Sequence, residues 1–123
     1  MEITSKAVGV LGEELASSFL KDRGYKILLK NYKTPLGEID LVARHGDVLV
    51  FVEVKARCSE EMGDPAESVT RRKRRQISKV AHCYLKRYGL EDYPCRFDVV
   101  SILLPPAGMP AINLIQDAFQ EER

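Results

Sequence analysis

Three charged side chains interrupt the most apolar part of this sequence in a pattern that could support metal-dependent phosphate chemistry. Asp40 lies within one apolar stretch, and Glu53 and Lys55 interrupt a second one, Val48–Arg57. Because an unpaired charge is costly to bury, charges at such positions usually have a purpose. Carboxylates are ligands that hard divalent cations prefer, and a nearby lysine could stabilise charge on a phosphate. We therefore regard Asp40, Glu53 and Lys55 as candidate catalytic residues, with the two carboxylates as metal ligands.

A β-hairpin would bring these three charges together. Strands are predicted at residues 37–43 and 48–57, with a short turn between them. Alternate residues of a strand share a face, so Glu53 and Lys55 project to the same side. In an ordinary antiparallel register, Asp40 lies close to Glu53 across the two strands. The alternative for this group is a structural ion pair across the hairpin, which contributes little where it is exposed.

The elements around the hairpin predict an α/β fold. Apolar residues recur with helical spacing in two segments, and strand-like patterns occur in five others. The predicted helices cover residues 4–23 and 69–88, and the predicted strands cover residues 25–29, 37–43, 48–57, 96–104 and 111–115. This order, αβββαββ, favours a mixed β-sheet flanked by the two helices. Residues 31–37 are expected to form a connection, and residues 118–123 a flexible tail anchored by Phe119.

The first predicted helix carries a candidate site residue beside a stripe of small side chains. Gly9, Gly12 and Ala16 fall on one side of this helix, and each glycine costs about 1 kcal/mol relative to alanine. Close approach of this face to the sheet is the expected compensation. Glu13 borders the stripe and could reach over the sheet, whereas Glu14 points to solvent. The alternative for Glu13 is an ordinary solvated helix residue.

The second predicted helix begins with a run of basic residues at positions 71–75. A positive run at a helix N-terminus opposes the helix macrodipole, which favours anions there. Contact with nucleic-acid phosphates would explain the placement, so Arg71, Arg72 and Lys73 are candidate nucleic-acid-binding residues. A solvated helix face is the alternative. Lys73 and Gln76 both border the apolar face, from which they could reach a phosphate or the hairpin lysine.

Length and composition bound the remaining possibilities. The 123 residues suit one domain, and 45% of them are hydrophobic, which is enough for an ordinary core. The formal net charge is +1, so any surface for nucleic acid has to be local. Cys58, Cys83 and Cys95 form no CxxC pair, which argues against a zinc site and favours a reduced, cytoplasmic protein. We recognise no signal peptide and no membrane-spanning segment.

Taken in order, these residues resemble a known family. The matching segments are Gly9-x-x-Gly12-Glu13-x-x-Ala16, Gly24-Tyr25, Asn31-Tyr32, Gly37-Glu38-Ile39-Asp40-Leu41, Phe51-Val52-Glu53-Val54-Lys55-x-Arg57, Gln76, Arg96-Phe97-Asp98-Val99 and Ala118-Phe119. Over nearly its full length the chain resembles the YraN-like family of uncharacterised bacterial proteins. The motif set is also similar to that of the PD-(D/E)XK nucleases, and among them to the archaeal-type Holliday-junction resolvases.

The resemblance implies one nuclease-like domain over residues 1–123, with a restriction-endonuclease-like fold and Mg²⁺ or Mn²⁺ as the cofactor. The implied catalytic residues are Glu13, Asp40, Glu53, Lys55 and Gln76, with Asp40 and Glu53 as metal ligands. Arg57, which follows Lys55 on the same strand face, joins the candidates for nucleic-acid binding. Because resolvase-like proteins act on two-fold symmetric substrates, the resemblance also implies a homodimer.

Three functions remain open at this point. The first is a magnesium-dependent endonuclease acting on DNA, on branched or structured DNA in particular. The second is a nucleic-acid-binding protein of the same fold with little or no catalytic turnover. The third is a protein-interaction scaffold that recruits a partner through the acidic stretch at residues 60–67.

Overall fold

The computed structural model describes residues 4–58 and 69–121, which form a five-stranded sheet between two helices. In chain order the elements are α1 (Ser5–Asp22), β1 (Tyr25–Thr34), β2 (Gly37–His45), β3 (Val48–Arg57), α2 (Arg71–Arg87), β4 (Cys95–Leu103) and β5 (Ala111–Phe119). The predicted α/β class and the order αβββαββ are confirmed. The acidic stretch at residues 60–67 lies outside the described residues. Neither described helix has the length and apolar character needed to cross a membrane.

The sheet is mixed, with the strands in the order β1-β2-β3-β4-β5. Neighbouring strands run antiparallel, except that β3 and β4 run parallel. A parallel pair needs a long crossover connection, and α2 lies within the segment that provides it. β2 and β3 form the predicted hairpin, and Gly46 in its turn has a φ of 61°. This backbone conformation is one that glycine adopts without strain.

Two apolar cores cover opposite faces of the sheet. Val50 and Val52 of β3 belong to a cluster that includes Leu20 of α1. Phe51, which lies between them, belongs to a second cluster that includes Val80 of α2. This alternation is expected of a central strand that is covered on both faces.

Close approach of α1 to the sheet explains one of the two glycines in its small-residue stripe, Gly12. A Cβ atom at Gly12 would lie 2.6 Å from the Cβ of Ala56, so α1 approaches β3 this closely because residue 12 has no side chain. At Gly9, no atom of a described residue outside its own helix turn lies within 4 Å of the corresponding position, so packing among the described residues does not account for that glycine. Thr4 caps the helix, its hydroxyl accepting a hydrogen bond from the backbone N of Ala7 at 3.1 Å.

β1 continues through Thr34 and is longer than predicted. The pairing register with β2 shifts just before Leu29, and Asn31 adopts a φ of 54°. Leu29 and Tyr32 consequently pack against the same α2-facing core although they are three residues apart. The predicted connection over residues 31–37 is confirmed only for residues 35 and 36, which form the turn between β1 and β2. It is wrong for residues 31–34 and 37, which belong to strands, because these irregularities hide the alternation by which a strand is recognised.

β5 is also longer than predicted and reaches Phe119. Phe119 is 8% exposed and stacks on Phe97 with the ring centroids 4.9 Å apart. Its predicted role as an anchor is therefore confirmed. The prediction of a flexible tail from residue 118 is wrong for residues 118 and 119, since both belong to the sheet.

A buried polar network fixes the end of the sheet at which β1 begins. Asp98 is fully buried and accepts hydrogen bonds from the Tyr25 hydroxyl at 2.8 Å, Arg96 Nε at 3.0 Å and the backbone N of Asp117 at 2.9 Å. His45 stacks on Tyr25, with their ring centroids 4.2 Å apart. The network ties β1, β4 and β5 together, and its many partners explain how a carboxylate can be buried there.

Candidate active site

A cleft of about 600 Å³ opens where α1 passes the end of β3. The predicted site residues that line it are Glu13, Asp40, Glu53, Lys55, Arg57 and Lys73. They come from α1, β2, β3 and α2, so the hairpin supplies only part of the site. Among the described residues, the predicted candidates Gln76, Arg71 and Arg72 are not part of the cleft lining.

Asp40 enters the cleft where the alternation of β2 breaks. Ile39 and Val42 both pack into the α2-facing core, although residues three apart in a regular strand face opposite sides. Asp40 Oδ2 accepts a hydrogen bond from the backbone N of Val54 at 2.8 Å. The side chain of Asp40 thus bridges β2 to β3 at this point, and it lies beside the carboxyl of Glu53.

The Asp40 carboxyl lies in a partly dehydrated and acidic environment. Burial raises its pKa to about 7, and the negative charge of Glu53 and a hydrogen bond to the Glu53 carboxyl act in the same direction. The hydrogen bond from the Val54 N–H lowers the pKa, because it stabilises the charged form. Because the carboxyls of Asp40 and Glu53 are adjacent, they do not readily ionise together, and Asp40 keeps its proton to a higher pH. A bound cation could replace that proton and allow both carboxyls to be charged.

Glu13 and Glu38 extend this group of carboxylates. One carboxylate oxygen from each of Glu13, Glu38 and Asp40 lies within 4.8 Å of the other two. Burial raises the pKa of Glu13, and a hydrogen bond with Asn31 lowers it. The inward position predicted for Glu13 is observed, whereas Glu14 is exposed.

Glu38 was not predicted as a site residue. Its signals in the sequence are its place two residues before Asp40 on the same strand and its presence in the motif Gly37-Glu38-Ile39-Asp40-Leu41. Asn31 was not predicted either, because it was assigned to a connection. Its φ of 54° places it in the left-handed region that asparagine tolerates better than most residues, and its side chain contacts Glu13.

Lys73 of α2 forms an ion pair with Glu53, with Nζ 3.2 Å from Oε1. The Glu53 side chain is 6% exposed and that of Lys73 is 39% exposed. Thr70 caps α2 by accepting a hydrogen bond from the backbone N of Lys73 at 3.2 Å. The cap fixes the main chain of Lys73 over the site, so its ammonium group faces a predicted metal ligand.

Lys55 is half-buried and lines the cleft together with Arg57, two residues further along β3. Within residues 4–58 and 69–121, no side chain forms an ion pair or a hydrogen bond with Lys55. The two lysines of the cleft therefore differ: Lys73 is engaged with a buried carboxylate, and Lys55 is available to an anionic ligand.

Gln76 contacts the start of β2 and not the carboxylates. Its Nε2 donates a hydrogen bond to the carbonyl oxygen of Leu36 at 3.1 Å. It also packs against Gly37, where an added Cβ would lie 2.8 Å from Nε2 and where φ is 146°. This arrangement assigns Gln76 a role in holding the strand that carries Asp40. Arg71 and Arg72 are exposed at the first turn of α2.

Comparison with known proteins places the chain in a family. The family described as Uncharacterised protein family UPF0102 matches residues 12–102. The chain belongs to this family. The predicted YraN-like family is thereby confirmed, and the matched range of this UPF0102 protein contains every candidate site residue from Glu13 to Gln76.

Individual relatives cover nearly the whole chain. A UPF0102 protein of Symbiobacterium thermophilum is 48% identical over 115 residues, which are 94% of this chain and 98% of that protein. One from Syntrophus aciditrophicus is 47% identical over 112 residues, covering 91% and 87% of the two chains. One from Moorella thermoacetica is 44% identical over 120 residues, covering 97% of this chain and all of the relative.

Proposed function

We propose that this UPF0102 protein is a metal-dependent endonuclease that hydrolyses phosphodiester bonds of DNA. The observation that carries the proposal is the meeting of several carboxylates with two lysines in one open cleft. Membership of the PD-(D/E)XK superfamily, with its restriction-endonuclease-like fold, is part of the proposal. It rests on the ordered set of motifs in the sequence and on the position of that set around the cleft.

The donor set fits Mg²⁺ or Mn²⁺. Asp40 and Glu53, with Glu13 and Glu38 beside them, supply only oxygen atoms, which hard cations prefer. Such a cation would lower the pKa of a bound water and polarise a phosphate. Asp40 and Glu53 would hold it at the floor of the cleft. Lys55, whose ammonium group has no acidic partner among the described residues, would stabilise the charge that develops on the phosphoryl oxygens.

Basic side chains at the cleft and beside it would contact the DNA backbone. Arg57 lines the cleft, and Arg71 and Arg72 are exposed where α2 begins. Contacts of this kind position the phosphates without reading the base sequence. Affinity should therefore fall steeply as salt is added.

We further propose branched or structured DNA as the substrate, a homodimer as the active form and the cytoplasm as the location. The resemblance to resolvases supports the first two points. The third is supported by the cysteines Cys58, Cys83 and Cys95, which are all free, as expected in a reducing compartment.

The test is cleavage of a panel of linear, forked and four-way-junction DNA with Mg²⁺ or Mn²⁺ and with EDTA. We expect metal-dependent cleavage by the wild type, reduced by about 100-fold or more in Glu53→Ala. If the wild type and Glu53→Ala behave identically on every substrate, the catalytic proposal is wrong.

A nucleic-acid-binding protein without useful turnover is the second candidate. The ion pair between Lys73 and Glu53 favours it, because an ammonium group engages a carboxylate that catalysis would need. This function would be supported if the protein binds nucleic acid in a salt-dependent way, if Arg72→Ala weakens the binding, and if no cleavage is detected. No measurable affinity for any nucleic acid would exclude both candidates.

A further inference from the structure

We propose that Lys73 is a built-in counter-cation of Glu53, which a divalent cation must displace and which then turns to the phosphate of the bound nucleic acid. The proposal rests on the proposed metal-dependent function and adds a regulatory step to the same site. It gives Lys73 a role distinct from that of Lys55. It also makes metal loading a condition for full affinity towards the nucleic acid.

Glu53 is a buried carboxylate. Its side chain is 6% exposed, and a carboxylate this far from water needs a partner of opposite charge. Lys73 Nζ lies 3.2 Å from Glu53 Oε1 and is that partner. A divalent cation on Glu53 would satisfy the same need with twice the charge, and it would repel the ammonium group.

The side chain of Lys73 has room to leave Glu53. The Lys73 side chain is 39% exposed, so its ammonium group can leave Glu53 for the open side of the cleft without crossing the core. The Thr70 cap holds the backbone of Lys73 and does not involve its side chain. The exchange therefore requires a change of side-chain rotamer and no movement of α2.

The charges of the cleft are unevenly distributed. Glu13, Glu38 and Asp40 cluster on one side. Within residues 4–58 and 69–121, the one ion pair made by a carboxylate of this cleft joins Glu53 to Lys73. Freeing Lys73 as the metal binds would add a positive group where the phosphate must approach. Metal and nucleic acid would then favour each other's binding, as thermodynamic linkage requires.

Calorimetric titration of the full chain with Mn²⁺ at pH 8 tests the exchange. Lys73→Gln removes the competing ammonium and should lower the Kd for Mn²⁺ by about tenfold, which corresponds to about 1.4 kcal/mol. Lys79→Gln is the matched control, because it removes one positive charge from an exposed position of the same helix. It should leave the Kd within about twofold of the wild type.

A second readout uses the unmodified chain. With and without Mn²⁺, the rate at which an amine-reactive reagent labels each lysine is followed by mass spectrometry. We expect Mn²⁺ to increase the labelling of Lys73 severalfold and to leave that of Lys79 unchanged. A Lys73 that merely stabilises the fold would show no such response.

The outcomes separate the two proposals. If the wild type binds Mn²⁺ but Lys73→Gln binds it equally or more weakly, with unchanged circular dichroism, the counter-cation role is wrong and the proposed function stands. The same conclusion follows if Mn²⁺ leaves the labelling of Lys73 unchanged. If neither the wild type nor Lys73→Gln binds Mn²⁺ or Mg²⁺, the metal-dependent function fails, and the role of Lys73 fails with it.

Discussion

Replacing Asp40 by asparagine should stabilise the metal-free protein, and more so as the pH rises. Folding raises the pKa of this carboxyl from 3.8 to about 7. Between these values the unfolded chain loses the proton while the folded chain keeps it, so folding stability declines as pH increases through this window. Below pH 3.8 the difference vanishes, and above pH 7 it is complete.

The size of the effect follows from the same values. Each pH unit between 3.8 and about 7 is worth about 1.4 kcal/mol, which gives about 4 kcal/mol for the full window. Asparagine keeps a neutral side-chain oxygen that can accept from Val54 N, as the protonated carboxyl does, and the stronger bond to the charged carboxylate is already included in the pKa of about 7. We therefore expect Asp40→Asn to gain about 4 kcal/mol at pH 8 and about 2 kcal/mol at pH 5.

Urea unfolding followed by circular dichroism in EDTA measures this gain. Glu14→Gln is the control, because Glu14 is exposed on α1 and its replacement removes the same charge. That variant should lie within about 0.5 kcal/mol of the wild type at both pH values. An Asp40→Asn variant that is no more stable than the wild type at pH 8 would refute the argument, as would a gain of equal size at pH 5.

Two further predictions test how the fold positions the site. Gly12→Ala should lower the free energy of unfolding by about 1 to 3 kcal/mol, because its Cβ would meet Ala56. Gly9→Ala should raise it by up to about 1 kcal/mol, because the added Cβ meets no described residue and alanine favours the helix. Equal effects of the two variants in urea unfolding would contradict the close approach of α1 to β3. Asp98→Ala should cost about 3 to 5 kcal/mol, because it leaves Arg96 and Tyr25 without their buried partner, and a loss below about 1 kcal/mol in the same assay would contradict the structural role of this network.

The regular elements were predictable because their sequences carry undisturbed patterns. Both helices end within two residues of the predicted bounds, and the hairpin is where the apolar strands and Gly46 indicated. β1 and β5 were predicted too short for physical reasons. A register shift and the left-handed Asn31 disturb the alternation in β1. In β5 a second left-handed residue, Asp117, does the same just before Phe119.

The candidate site residues that could be predicted are those with a charged side chain within an apolar strand. Residues that only the three-dimensional fold brings together were harder to predict. Asp40 and Glu53 stand out in apolar stretches. Glu38 lies at the start of a strand, where an acidic residue is unremarkable. Its place in the site is evident only from the fold, which brings one carboxylate oxygen each of Glu13, Glu38 and Asp40 within 4.8 Å of one another. The pairing of Lys73 with Glu53 depends on how α2 lies across the sheet, which no local pattern encodes.

The proposed endonuclease activity is best tested by comparing metal-dependent cleavage by the wild type with that by Lys55→Ala. The substrates are the linear, forked and junction DNAs with Mg²⁺, and Lys79→Ala serves as the matched lysine control. We expect cleavage that EDTA abolishes, that Lys55→Ala lowers by about 100-fold or more, and that Lys79→Ala leaves unchanged. Equal cleavage by the wild type and Lys55→Ala, or none by the wild type on any substrate, would contradict the proposal.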